Sequence, residues 1–207
     1  MNYAWTIREA AAIADIPAKT IRQMIEREGL KPDAAIGVAQ KGALLLSLRD
    51  LILVKLLADF PFSLEKAHKA AIEALLRGRR PAGFNWQAEG QELLLRSGSI
   101  SMRVDCAPLR EMLTRNSAAF LWGQRRIASD FAVLNGEPVF RGTSISLARV
   151  EASIRKGAAD CELMKEFPGL SQTDLDYARI HARMGKRPGR PRKPRKPIEV
   201  RRAAEAA

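Results

Sequence analysis

The sequence predicts an α+β fold, mainly α: an N-terminal winged helix-turn-helix, a small antiparallel β segment, a C-terminal hairpin with a three-helix domain, and a disordered basic tail. Three observations predict it. Apolar residues recur at helical spacing near both ends of the chain, whereas Phe84 to Asp105 alternates with the period of strands. Helix boundaries are written out, with Thr6-Ile7-Arg8-Glu9 and Ser171 as starts and Gly29, Gly157 and Pro168-Gly169 as stops. From Lys186 to Pro197 there is no apolar side chain to bury and proline repeats, so no helix is expected. The expected boundaries are 1–82, 83–126, 127–184 and 185–207.

Taken in order, Thr6 and Glu9 form a capping box that opens a helix from Ile7 to Ala14, with Ala10, Ile13 and Ala14 on one side. Pro17 precedes a second helix, Ala18 to Glu28, closed by Gly29. Two short helices joined by three or four residues are the frame of a helix-turn-helix, and the second is the reading helix. Ile21, Met24 and Ile25 are its inward residues. Lys19, Thr20, Arg22, Gln23 and Arg27 are free to face DNA, where Arg and Gln can pair with base edges. Ile36 to Ala39, the Gln40-Lys41-Gly42 turn and Ala43 to Leu48 are expected to form a wing whose Lys41 meets phosphate. An apolar helix, Arg49 to Phe60, follows, then a short one between Ser63 and Gly78, ended by Arg79-Arg80-Pro81.

The series Trp5-Thr6-Ile7-Arg8-Glu9-Ala10-Ala11, Thr20-Ile21-Arg22, Arg27-Glu28-Gly29-Leu30, the wing and Phe62-Ser63-Leu64-Glu65-Lys66 resembles the winged domain of MerR-type regulators. The resemblance runs from Tyr3 to Leu76 and implies operator recognition. Gln23-Met24 stand where that family commonly places aromatic residues. The helix after Ser63 is too short for MerR-type pairing, so dimer contacts are expected elsewhere.

Phe84 to Ala88, Glu92 to Arg96 and Ile100 to Asp105 read as a three-stranded meander, expected to help build a homodimer or larger oligomer because its edges need cover. Pro108 opens a helix carrying Leu109, Met112 and Leu113. Trp86 and Trp122 read as core or interface residues. Next, Asn135-Gly136 signals a turn, Val139-Phe140 a strand, and Gly142 a kink. Helices are expected at Leu147 to Lys156, Asp160 to Phe167 and Thr173 to Met184, the last capped by Ser171.

The hairpin Gly136-Glu137-Pro138-Val139-Phe140-Arg141-Gly142-Thr143, a helix ending in glycine, Phe167-Pro168-Gly169-Leu170-Ser171 and a last helix resemble the small domain of VapB-type antitoxins. Ser144 stands where that family usually has a second Arg. The resemblance covers Ile127 to Met184. It implies that Gly136, Pro138, Arg141, Gly142 and Thr143 shape a structural hairpin. It also implies a partner, a PIN-domain ribonuclease toxin, and repression of the operon through double-stranded operator DNA.

Net charge is +12, from 35 basic and 23 acidic residues, and is uneven: Gly185 to Ala207 carries +7 and the remainder +5. Such a surplus suits a polyanionic partner. In the tail, Gly189-Arg190-Pro191 resembles the centre of an AT-hook, with Pro188 in place of the usual Arg. The tail residues Arg187, Gly189, Arg190, Pro191, Arg192, Lys193 and Arg195 have three readings. They insert into the minor groove, enter the acidic site of the toxin as such antitoxin tails do, or raise general nucleic-acid affinity.

No catalytic constellation is legible, so the chain is not expected to be an enzyme, nor to hold a metal or cofactor. His68 and His181 lack partners at ligand or triad spacing, Asp174 and Asp176 fall on different sides of a helix, and Glu137 is a lone acid. Cys106 and Cys161 lack the pairing of a zinc site and are expected to be buried in a reducing cytoplasm. The start has no signal-peptide pattern and no apolar run approaches the ~20 residues of a membrane span, so cytoplasmic localisation without a membrane partner is expected.

Overall fold

The computed structural model describes residues 4–32, 44–61, 63–97, 99–129 and 136–185. The expected first wing strand at 36–39, Lys41, Phe62, Asn135 and the tail from 186 onward lie outside the described residues. Within them the fold is α+β and mainly helical.

Strand β1 (Ala4–Thr6) leads directly into α1 (Ile7–Ala14), and a three-residue turn leads to α2 (Ala18–Glu26). Strand β2 (Leu45–Ser47) pairs antiparallel with β1, Trp5 opposite Leu46, and feeds α3 (Leu48–Asp59). Strand β2 falls within the expected second wing strand, Ala43 to Leu48, and its partner among the described residues is the N-terminal strand. Both strand-to-helix junctions are capping boxes. Glu9 accepts the Thr6 N–H at 2.9 Å, and Asp50 accepts the Ser47 N–H and hydroxyl at 2.9 and 2.8 Å. Each box satisfies amide groups that a helix start leaves without partners.

Helix α4 (Lys66–Leu76) packs on α3 and is tied back by Arg77. The Arg77 guanidinium lies 3.2 Å from Glu73 and 3.5 Å from Asp50, and it donates to the Lys31 carbonyl beyond α2. The meander follows as β3 (Gln87–Glu89), β4 (Glu92–Ser97) and β5 (Ile100–Asp105), antiparallel with β4 central. Trp86 is buried there, its indole N–H donating to the Arg96 carbonyl at 3.0 Å and its ring stacked on His68.

The 20-residue α5 (Ala107–Arg126) joins the two ends of the chain, packing against α1 and α3 on one side and α8 on the other. Pro108 sits in its first turn, where a missing N–H costs nothing. Strands β6 (Ile127–Ala128) and β7 (Val139–Phe140) pair antiparallel. The chain then forms α6 (Leu147–Arg155), α7 (Asp160–Glu166) and α8 (Gln172–Met184). Ser171 caps α8 through Asp174, at 2.9 Å from the Ser171 amide.

One apolar core runs from Trp5 and Ile13 through Leu51, Leu113 and Phe120 to Leu175 and Ile180. At its centre Gly123 of α5 meets the ring of Tyr177 on α8, close enough that no side chain fits between them. The cysteines divide. Cys106 is buried as expected, but Cys161 is exposed, because Asp160, Cys161 and Glu162 form the solvent-facing first turn of α7 while Leu163 takes the core position. Among the described residues no helix is long and apolar enough to cross a membrane, and no three His, Cys, Asp or Glu side chains gather as a metal site.

Candidate nucleic-acid interface

The turn between α1 and α2 is built from Asp15, Ile16 and Pro17. Asp15 takes the left-handed conformation at φ 54°, which lets its own N–H and that of Ile16 fold back onto the Ala11 carbonyl. Asp tolerates this region better than most side chains. Pro17 then fixes the approach to α2 and leaves the helix without a side-chain cap, while its carbonyl accepts the Thr20 N–H at 2.9 Å. Ile21 and Met24 are buried against α1 and α3. At the far end Gly29, at φ 75°, turns the chain so that Leu30 re-enters the core, while Glu28 pairs with Lys69 at 2.8 Å.

That anchoring decides what α2 shows to solvent. Lys19, Arg22 and Arg27 are exposed, and Thr20 and Gln23 are half-buried beside them. None of the three cations joins an ion pair among the described residues. Arg77, Arg126, Arg155, Arg179 and Arg183, by contrast, are all paired with carboxylates inside the fold. The face presented by α2 thus carries three cations, the exposed carboxylate of Glu26 and two amide or hydroxyl side chains, on a helix packed against α1 and α3. Lys41 lies outside the described residues.

The other end of the chain arrives at the same place. Arg183 on α8 pairs with Asp15 at 3.2 Å and donates to the Ala12 carbonyl at 3.4 Å. Arg8 on α1 donates to the Met184 carbonyl at 3.0 Å and also to the Gly185 carbonyl. These are the carbonyls that a helix end leaves free, and a guanidinium suits their negative end of the helix dipole. A cleft of about 350 Å³ lies between the helices, lined by Arg8, Ala12, Asp15, Pro17 and Arg183. Next to it Arg179 is pulled below its ordinary pKa by burial and by the charge of Arg183, while keeping Asp160 and Asp176 as partners.

The hairpin residues lie near the start of α8, joined to it through Arg126, and their work is structural. Gly136 and Gly142 adopt φ of 81° and 79°, conformations that favour glycine. The Pro138 carbonyl accepts from Leu147 at 2.8 Å, and the Thr143 hydroxyl donates to the Phe140 carbonyl at 2.7 Å while accepting from the Ile145 N–H. Arg141 contributes its backbone: its N–H donates to the Arg126 carbonyl at 2.7 Å, and the Arg126 guanidinium donates to its carbonyl. Its own side chain is exposed. Arg126 in turn lies 3.5 Å from the buried Asp174, and Trp122, 52% exposed, donates its indole N–H to the same carboxylate at 3.3 Å.

A family model described as a protein of unknown function, DUF433, matches residues 127–182, which takes in β6, β7, α6, α7 and most of α8. No curated protein and no solved structure matches the chain.

The structure brings Lys19, Thr20, Arg22, Gln23 and Arg27 onto one helix face, and Gly136, Pro138, Gly142 and Thr143 into one hairpin. The tail residues Arg187, Gly189, Arg190, Pro191, Arg192, Lys193 and Arg195 lie outside the described residues. Sequence reasoning missed Arg8, Asp15, Arg183 and Arg126, and the contact of Arg126 and Trp122 with Asp174. Each of these contacts joins groups remote in sequence, and periodicity carries no signal for that.

Proposed function

We propose that this chain is a DNA-binding repressor that also acts as antitoxin to a PIN-domain ribonuclease, masking the toxin and repressing the shared operon. The observation that carries the reading is the α2 face: exposed Lys19, Arg22 and Arg27, which join no ion pair among the described residues, beside Thr20 and Gln23 on a helix braced by α1 and α3. In a major groove, Arg22 and Gln23 meet base edges, Lys19 and Arg27 meet phosphates, and the uncapped N-terminus of α2 adds backbone N–H donors to phosphate. A homodimer or higher oligomer would set two such helices on paired half-sites, one helical turn or a multiple apart. The resemblance of the 136–143 hairpin and the helices after it to VapB-type antitoxins supports the toxin half. Toxin binding that favours one oligomer shifts operator affinity by mass action.

A second reading, a winged-helix regulator with no toxin partner, is favoured by one observation. The apolar face of α8 is already spent on α1, α5 and α6. Co-expression with the product of the adjacent gene separates the two. Growth rescue with co-elution on a sizing column is expected for the antitoxin. A neighbour that is harmless alone and never co-elutes would leave the regulator.

A further inference from the structure

We propose that the face formed by α5 and α8 binds single-stranded nucleic acid, with bases stacked on Trp122 and phosphates held by the arginines on either side of it. Among the described residues Trp122 and Met164 are the large apolar side chains left exposed, and Trp122 is the larger, at 52%. Its ring is held in place: the indole N–H donates to the buried Asp174 at 3.3 Å, and no other aromatic ring among the described residues stacks on it. Helical spacing then sets what surrounds it. Arg125 lies three residues on and Arg115 seven residues back, so both share the face of Trp122, with the exposed Ala118 between. The hairpin adds a third cation. Arg141 is locked to the end of α5 by its backbone bonds with Arg126, and its side chain is exposed. Arg115, Arg125 and Arg141 join no ion pair among the described residues, and Glu111, one turn before Arg115, ends the strip.

Arg115 also walls a cleft of about 390 Å³ between α5 and α8, together with Arg179 and Arg183. Asp176 stands in the same wall, bonded to Arg179 and to Gln172 at 3.3 Å each, so three guanidinium groups meet one carboxylate. Burial and the charge of Arg183 hold Arg179 below its ordinary pKa, a repulsion that a bound phosphate relieves. From Trp122 to Arg115 is about 10 Å along the helix axis, room for about three stacked nucleotides at ~3.4 Å each. A strand laid along α5 thus meets a ring for its bases and cations for its phosphates at both ends, the combination that sequence-tolerant single-strand binding uses. A duplex has no unstacked base to offer Trp122. An acidic peptide would satisfy the cations but lacks the alternation of flat base and phosphate that a ring between two groups of arginines suits.

Fluorescence anisotropy with labelled dodecamers tests this on the full chain at ~0.15 M salt, using oligouridine, oligothymidine, an abasic strand of the same charge and oligoglutamate. Trp122→Phe and Trp122→Leu both lose the N–H bond to Asp174, and phenylalanine keeps a ring. On the base-bearing strands Trp122→Phe should stay within about three-fold of the parent, whereas Trp122→Leu should weaken binding roughly ten- to hundred-fold. The abasic strand should not distinguish the two variants. Arg115→Gln and Arg125→Gln should each lower the salt slope by about 0.7. Uridine against thymidine strands separates RNA from single-stranded DNA, which differ at the 2′-hydroxyl. Arg22→Ala should change none of these values, so a failure of α2 as a reading helix leaves this site standing. Equal losses for the two Trp122 variants on base-bearing strands would overturn the stacking. Tighter binding of oligoglutamate, lost with Trp122→Leu, would assign the face to an acidic protein partner instead. Should Trp122→Leu fail to fold, irradiating the parent chain with a 5-iodouridine strand decides: attachment at Trp122 in peptide maps is expected, and attachment confined to other residues refutes the site.

Discussion

Gly123→Ala tests the closest approach in the molecule. On an isolated helix the change is favourable by about 1 kcal/mol, since alanine has the higher helix propensity. Here the new methyl would overlap Cγ, Cδ1 and Cδ2 of Tyr177. Restoring a non-bonded carbon separation of ~3.5 Å needs the two helices to part by roughly 1.5 Å. The ring cannot swing aside instead. Its Cγ lies one bond beyond Cβ and moves only with the χ1 rotamer, the residue is 5% exposed, and Phe120 and His181 flank it with ring centroids at 6.0 and 5.7 Å. The clash therefore belongs at the upper end of overpacking costs, about 3 kcal/mol, which outweighs the propensity gain and leaves a net loss of ~2 kcal/mol. Urea unfolding followed by far-UV circular dichroism reads it as a lower midpoint at unchanged slope. Tyr177→Leu in the alanine background should recover at least ~1 kcal/mol of coupling, because the ring is the obstacle. A Gly123→Ala chain as stable as the parent, or more so, would refute the packing of α5 on α8 described above.

Four other outcomes are expected. Asp174→Ala should cost about 3 kcal/mol, since it removes the α8 cap and strands Arg126, whereas Asp176→Ala, whose partner Arg179 keeps Asp160, should cost no more than ~1 kcal/mol; equal effects would contradict the buried role. In the native protein one thiol, Cys161, should react with a thiol reagent and the second only on unfolding. Burial raises the Cys106 pKa above 9.0, so its contribution to stability is complete below that pH and is lost as pH climbs through the folded value. Cys106→Ala should flatten that alkaline loss, measured as unfolding midpoint against pH. Arg22→Ala should relax operator discrimination by about 1–3 kcal/mol in competition binding, and an unchanged sequence profile would take α2 out of the groove.

Much of the fold was legible because its boundaries are local chemistry. Thr6 with Glu9, Ser171 with Asp174, Gly157 and Pro168-Gly169 mark helix ends within four residues of themselves, and all of these helices appear within a few residues of their expected limits. The α2 face was legible for the same reason, since alternation of Ile21 and Met24 with Lys19 and Arg22 is a property of one helix. What stayed hidden were pairings across the chain. That Ala4 to Thr6 would be the strand beside Leu45 to Ser47, that Arg8 would close the end of α8, and that Trp122 would lie on the surface bonded to Asp174 depend on which faces meet. Cys161 shows the same limit: an apolar residue type says little about burial on a two-turn helix with one inward position.

The bond from Arg183 to the Ala12 carbonyl joins groups 171 positions apart, and it has a consequence for the order in which the protein comes into being. Ala10, Ile13 and Ala14 are wholly buried, on a helix that packs against α5 and α8. During synthesis the first two helices emerge long before the surfaces that cover them, and the closing of so large a loop must wait for α8. A nascent or prematurely ended chain presents an uncovered apolar flank on α1 and leaves α2 resting on a helix that is itself poorly braced. Interrupted molecules thereby carry the exposed apolar surface by which cells recognise chains for degradation.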